Sequence, residues 1–218
     1  MPGTDMSLEL LRGYTGSFPS PEDFTAFWNT VKAEIDSAPV SLQMEPVAYP
    51  NPNARYYHVT LIAPDNCKLH AKYICPSHEG SAACTLTFHD YPGASRGWFH
   101  LTRYISIDTA VLAPDCRGQG GYSENGTVGA GPAAYGPMFN GLEGEIRETY
   151  LFKLFRDALL WAKVAMMLSK TDPEKLYVCG DGISDVASDG TLFAPRVMLC
   201  AAHQANTVLR IIAGEFDV

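Results

Sequence analysis

No apolar run in this 218-residue chain approaches the ~20 residues that a membrane-spanning helix needs. Basic residues are in the minority, 16 Lys and Arg against 24 Asp and Glu, for a net charge of −8. That balance argues against a nucleic-acid partner, which needs a clustered basic face, and against an anionic membrane surface. None of the six cysteines belongs to a C-x-x-C pair, so neither that redox motif nor a paired zinc motif is present. Cys84, Cys179 and Cys200 lie in or beside apolar strand-like runs, and reduced, mostly buried thiols are expected. Met1 to Leu11 shows no apolar core preceded by positive charge. No signal peptide and a cytoplasmic setting are therefore expected. After Gly118-Gln119-Gly120-Gly121 no Lys-Ser/Thr follows, so this is not a phosphate loop, and no cofactor is expected.

What the chain does have is apolar material, 46% of its residues, enough for a sizeable core and too much for disorder. Its length fits one α/β domain, with a leader and helix over 1–53 and a sheet core over 54–218. Ser20-Pro21-Glu22-Asp23 reads as a helix start, with serine as cap and acids in the first turn. Phe24, Phe27, Trp28, Val31 and Ile35 recur behind it at helical spacing. Ser37 to Asn53 reads as a connector. Arg55–Ala63 and Leu69–Ile74 flank the turn Pro64-Asp65-Asn66 and read as a hairpin. Strands are expected at Ala83–Phe88, Tyr104–Ala113, Leu176–Gly180 and Pro195–Ala201. A long helix is expected over Glu143–Leu168, its apolar stripe running Ile146, Tyr150, Leu154, Ala158, Trp161, Ala165 and widened by Leu151, Phe155, Ala162 and Met166. Short apolar strands and a long crossover helix imply a doubly wound, mostly parallel sheet with an N-terminal hairpin. In such sheets chemistry gathers at the carboxyl ends of the strands.

The stretch of greatest interest is Leu176 to Val186, an apolar strand entering a glycine-rich turn. It approaches the nucleophile elbow G-x-S-x-G and departs from it in detail. Gly180 and Gly182 flank an aspartate, Asp181, and the Gly182-Ile183-Ser184-Asp185-Val186 frame lacks its second glycine.

Three strand ends in this order resemble the acetyl xylan esterase / cephalosporin C deacetylase family of α/β hydrolases. Asp115-Cys116-Arg117-Gly118-Gln119-Gly120 is similar to the family's D-x-R-G-Q-G motif. His89-Asp90-Tyr91-Pro92-Gly93 is similar to its oxyanion loop. Phe155-Arg156-Asp157-Ala158, Asp172-Pro173-Glu174-Lys175-Leu176 and the helix Pro21–Trp28 also match. The resemblance runs from about Leu8 to Cys200. It implies an α/β-hydrolase fold and removal of acetyl groups from small acetylated carbohydrates or related esters by serine acyl transfer. It also implies homo-oligomers and no cofactor. Tyr91 would lend its backbone N–H to the oxyanion, with Gly182 and Ile183 at the elbow. Laid on the family pattern, the serine position falls on Gly182. The family's catalytic Asp and His follow on later loops, and its last strands have no counterpart before Val218. A chain lacking its C-terminal strands, with weak or absent activity, is the expectation.

Two candidates remain for the chemistry. Ser184 is the nucleophile candidate, with His203 as base and His89 as the alternative base. The competing reading of Ser184 is a turn serine capping the next helix. Asp181, Asp185 and Asp189 crowd the same turn, and hard oxygen ligands suit Ca²⁺ or Mg²⁺. Their spacing is not that of a D-x-D-x-D-G loop, so a solvated acidic turn is expected and no metal. Asp115, Arg117, Gly118, Gln119 and Gly120 are expected to be structural, the arginine pairing across strand ends and the glycines allowing tight turns. A non-catalytic binding protein on the same scaffold, or a truncated product, is the alternative to the esterase.

Overall fold

The computed structural model describes residues 21–126 and 137–180. Six strands form one sheet in the order β1-β2-β3-β5-β4-β6. They are β1 (Ser41–Val47), β2 (Ala54–Ile62), β3 (Lys68–Pro76), β4 (Ala82–Phe88), β5 (Thr109–Pro114) and β6 (Thr171–Gly180). The strands β1, β2, β3 and β5 pair antiparallel in turn, while β5, β4 and β6 run parallel. The sheet is of α/β-hydrolase type. Among the described residues it is mixed, with its parallel character confined to the β5-β4-β6 half.

The hairpin lies where expected. Asn66 turns its corner at φ 61°, with its N–H donating to the Ala63 carbonyl at 2.8 Å, a conformation asparagine tolerates better than most residues. The antiparallel half exceeds one hairpin because Ser41–Val47, read as a connector, is the edge strand β1. Its residues are mostly exposed, and the four prolines of 37–53, Pro46 inside the strand among them, outweighed the short alternation of Leu42 and Met44 with Gln43 and Glu45. The strand expected over Tyr104–Ala113 begins only at Thr109. Thr102–Ile107 is instead a 3₁₀ turn, closed by Asp108 in the left-handed region at φ 54°. The strand before the elbow starts early, at Thr171, despite Pro173. Pro195–Ala201 lies outside the described residues.

Helices cover both faces. On one lie α1 (Phe24–Ser37) and α3 (Tyr150–Met167). On the other lies the short α2 (Trp98–Leu101) with the 3₁₀ turn that follows it. The helix α1 starts at Phe24 with Asp23 in the cap position, later than Ser20-Pro21 suggests. It buries Val31 and Ile35, and Trp28 stacks on Phe152 at 6.0 Å. Lys163 closes its far end, donating to the Ile35, Asp36 and Ala38 carbonyls at 2.8, 3.0 and 2.8 Å. A cation there satisfies carbonyls that have no partner within the helix.

The expected long helix divides into a 3₁₀ turn at Ile146–Glu148 and α3. Thr149 caps α3, its Oγ1 accepting from the Phe152 N–H at 3.1 Å. The buried residues of α3 include Phe152, Leu159, Leu160 and Val164 beside Tyr150, Trp161, Ala162 and Ala165. Ile146, expected to open the stripe, is 60% exposed. The buried face is displaced from the expected stripe toward Phe152, Leu159, Leu160 and Val164, while Leu151, Leu154, Phe155 and Ala158 are half-buried, because α3 lies between the sheet and α1 and is covered on two sides. Trp161 joins both layers in the main core with Val59, Leu61, Leu86 and Leu112. Removing so large a fully buried ring leaves a cavity. Trp161→Ala is expected to lower unfolding free energy by about 3–5 kcal/mol, read from the urea midpoint.

Candidate functional site

The parallel strands β4, β5 and β6 point their carboxyl ends the same way. Phe88 at the end of β4 pairs with Gly180 at the end of β6. The loop after β4 (His89–Gly93) therefore starts level with the last residue of β6, Gly180. The loop after β5 (Asp115–Gly121) stands on the other side of β4's loop. One sheet edge thus gathers all three strand ends singled out in the sequence.

Two of these loops are bonded together. The Cys116 N–H donates to His89 Nε2 at 2.9 Å, and the Gly120 N–H to the Gly93 carbonyl at 2.8 Å. His89 Nδ1 faces the Asp90 carbonyl at 2.9 Å. One ring nitrogen of buried His89 must donate and the other accept, so both are occupied. This corrects the alternative assignment of His89 as base: its lone pair is committed to the Cys116 amide. Tyr91 stands half-buried in the same loop, and its bond to Pro92 is cis.

Asp115 is the polar centre of this edge. It is 1% exposed and receives four hydrogen bonds. Oδ1 accepts from the Ser95 N–H at 2.8 Å and the Ser95 hydroxyl at 2.6 Å. Oδ2 accepts from the Tyr122 N–H at 3.0 Å and from His70 Nδ1 at 2.8 Å. Burial alone would raise the Asp115 carboxyl, but the His70 and Ser95 hydrogen bonds outweigh it and hold the group well below the usual carboxylate range. The network extends both ways. In its neutral tautomer His70 keeps its proton toward Asp115, and its Nε2 meets Nδ1 of His58 at 2.8 Å. Burial, with His70 and Lys72 nearby, pushes the His58 pKa down. Lys72 donates to the Ser95 hydroxyl and carbonyl at 2.6 and 3.1 Å. Burial lowers the Lys72 pKa, against the attraction of Asp115. Gly121 must be glycine here, because a Cβ would come within 2.2 Å of Asp115 Cγ.

Arg117, also 1% exposed, uses all five of its donors. Nε and Nη2 form a fork on Asp157 at 2.5 and 2.8 Å. Nη1 reaches Asp65 Oδ2 at 2.9 Å and the Asn125 carbonyl at 3.2 Å, and Nη2 also reaches Asp65 Oδ1 at 3.4 Å. Arg156 adds a bridge to Asp65 at 2.8 Å. Burial opposes the Arg117 charge, but the two carboxylates more than restore it. The backbone of the motif is held too. Gly118 sits at φ 61°. Tyr150 donates its hydroxyl proton to the Arg117 carbonyl at 2.8 Å and accepts from Gln119 Nε2 at 2.8 Å.

The structure therefore brings Tyr91, Asp115, Arg117, Gly118, Gln119 and Gly120 to one edge. Gly182, Ile183, Ser184 and His203 lie outside the described residues, as do Asp181, Asp185 and Asp189. No group of three His, Cys, Asp or Glu side chains suited to a metal occurs among the described residues. Motif reading missed His58, His70, Lys72 and Ser95. The hairpin register pairs His58 with Lys72 and Thr60 with His70, so His58 and His70 are diagonal neighbours on one face. That signal was readable once the turn at Pro64–Asn66 was placed.

Two predictions test these buried charges. Arg117→Gln leaves carboxylates without their cation and is expected to cost about 3–5 kcal/mol of stability in urea unfolding. Asp115→Asn is expected to cost about 1.5–3 kcal/mol at pH 7. A carboxylate whose folded pKa lies below its unfolded value stabilises above that unfolded value and loses the contribution as pH falls through the folded one. The wild-type stability should therefore decline more steeply than that of Asp115→Asn below about pH 5.

Comparison with known proteins agrees with this geometry. The family model for acetyl xylan esterase (AXE1) matches residues 1–189. Acetyl Xylan Esterase 1 from Thermoanaerobacterium sp. JW/SL YS485 superposes with TM-score 0.73 at 30% identity, over 81% of this chain and 56% of that one. An acetyl xylan esterase from Paenibacillus sp. R4 does so with TM-score 0.70 at 26% identity, over 80% and 56%. The chain thus spans little more than half the length of these relatives. By fold, motif and extent of match, it belongs to the acetyl xylan esterase (AXE1) family.

Proposed function

We propose that the protein is a carbohydrate esterase that removes acetyl groups from acetylated sugars, slowly in this form of the chain. One observation supports the reading: Phe88 opposite Gly180 puts the start of the Tyr91 loop level with the end of β6, the strand that leads in sequence to Gly182, Ile183 and Ser184. An acyl transferase needs its oxyanion donors and its nucleophile at that relation. In this reading the Ser184 hydroxyl attacks the acetyl carbonyl and His203 takes its proton. Backbone N–H groups of Tyr91 and of the Gly182-Ile183 turn receive the oxyanion. Collapse expels the sugar alkoxide, which takes the proton from the base. Water then hydrolyses the acetyl-enzyme, releasing acetate and restoring the serine.

The low rate is expected because Gly182 stands at the family's serine position and Asp181 and Asp185 would oppose a nearby oxyanion. A cephalosporin-type acetyl ester offers the same carbonyl and is a second substrate class. Free, buried Cys67, Cys75 and Cys84 support a reducing, cytoplasmic setting. Exposed Ile107, Phe139 and Met167 support self-association. No helix among the described residues is long and apolar enough to cross a membrane. The second reading, a binding protein without turnover, is favoured by the same displaced serine.

Acetate release from an aryl acetate and from acetylated xylose distinguishes the two. The expected result is a slow release that Ser184→Ala abolishes. An equal rate in the variant would remove Ser184 as nucleophile, and no release from either protein would leave the binding reading.

A further inference from the structure

Beside the candidate site, on the sheet face covered by α2, two cavities adjoin. A small one reaches the end of β4, lined by Thr87 and His89 and walled by His100 and Arg103. The other is an open cleft of about 650 Å³ between the Tyr49–Asn51 segment and α2. His100 and Arg103 line both. The geometry points to a subsite here for a sugar bearing a carboxylate, a uronic acid attached to the acetylated chain. The polymer class rests on the esterase reading; the binding itself needs no turnover.

Three features support this occupant. First, the charge is one-sided. The protein carries −8 overall, yet no aspartate or glutamate is among the described residues lining either cavity, while His100 and Arg103 line both and Arg96 lines the inner one. Arg103 is exposed and makes no ion pair among the described residues; its guanidinium lies over the Tyr104 ring at 5.2 Å. Stacking of that kind leaves the planar edge of the guanidinium open to a carboxylate fork. Second, His100 Nε2 is buried with no hydrogen-bond partner. A buried polar atom left unpaired is costly unless a ligand or water meets it. Third, the cleft has aromatic faces. Phe99 is 87% exposed. Tyr49 is held in place by Tyr56, whose ring lies 4.5 Å away and whose hydroxyl meets Thr102 Oγ1 at 2.9 Å. A rigid apolar face with a few convergent polar groups suits a sugar ring. A bare inorganic anion would use the charges and leave the rings idle.

The test is calorimetric binding of two probes, xylotriose and xylotriose carrying one glucuronic acid. The acidic probe is expected to bind about tenfold more tightly at low salt, the gain of one charge-assisted contact. Arg103→Gln, a change at an exposed side chain, should erase that preference and leave the neutral affinity unaltered. Phe99→Ala should weaken both probes. Equal affinity for the two probes, no binding of the acidic one, or a preference that survives Arg103→Gln would overturn the proposal. Displacement of the acidic probe by sulfate at like concentration would overturn its sugar part. Failure of acetate release would count against the esterase reading without touching this difference in binding.

Discussion

A guanidinium cut off from water must find partners for five N–H groups, and Arg117 finds them on three separate pieces of chain. Asp157 comes from α3, Asp65 from the hairpin turn, and a carbonyl from Asn125 beyond the glycines. Coulomb attraction between such charges is strong where water is excluded, but desolvation opposes it, and the balance is favourable only when the geometry satisfies every donor. That condition fixes relative positions. The hairpin corner, the main helix and the loop after β5 can each move only if the others move.

Asp115, two residues earlier, does the same for the loops on the other side. Its four accepted hydrogen bonds tie Ser95 and Tyr122 to the end of β5, and His70 links the edge back to the antiparallel half of the sheet. Cys116, between the two, holds His89 through its amide. Three consecutive residues therefore tie Ser95, Tyr122, His70, His89, the hairpin corner and α3 to the end of β5. A site built this way keeps its loops in place without relying on their own weak preferences, as preorganised donors require.

Much of this was readable from the chain. The hairpin, β4, the long helix and the strand leading to the elbow follow from periodicity and turn chemistry, because apolar spacing reflects burial directly. The D-x-R-G-Q-G motif marked the loop that carries Asp115 and Arg117. Less was readable where one residue's role depends on a distant one. Ser41–Val47 alternates only briefly and contains Pro46, which only an edge strand accommodates, and its place at the sheet edge is set by its pairing with β2. Thr102–Ile107 looks like strand by composition, yet the chain turns there to cover the face containing Val111 and Ala113. The buried face of α3 takes in Phe152, Leu159, Leu160 and Val164 outside the expected stripe because α1 adds a second buried side.

By itself the sequence determined the kinds of element, the order of the strands that matter and the chemistry available at their ends. Those depend on local pattern: alternation, helical spacing, glycine and proline at turns. Only the tertiary structure decided the partners. Which carboxylate neutralises Arg117, that both nitrogens of His89 are occupied, and that His58, His70 and Asp115 form one chain are outcomes of packing. The physical reason is that a buried polar group is satisfied by whatever the fold brings within about 3 Å, and residues 40 or more positions apart reach that distance only when sheet and helices close around them.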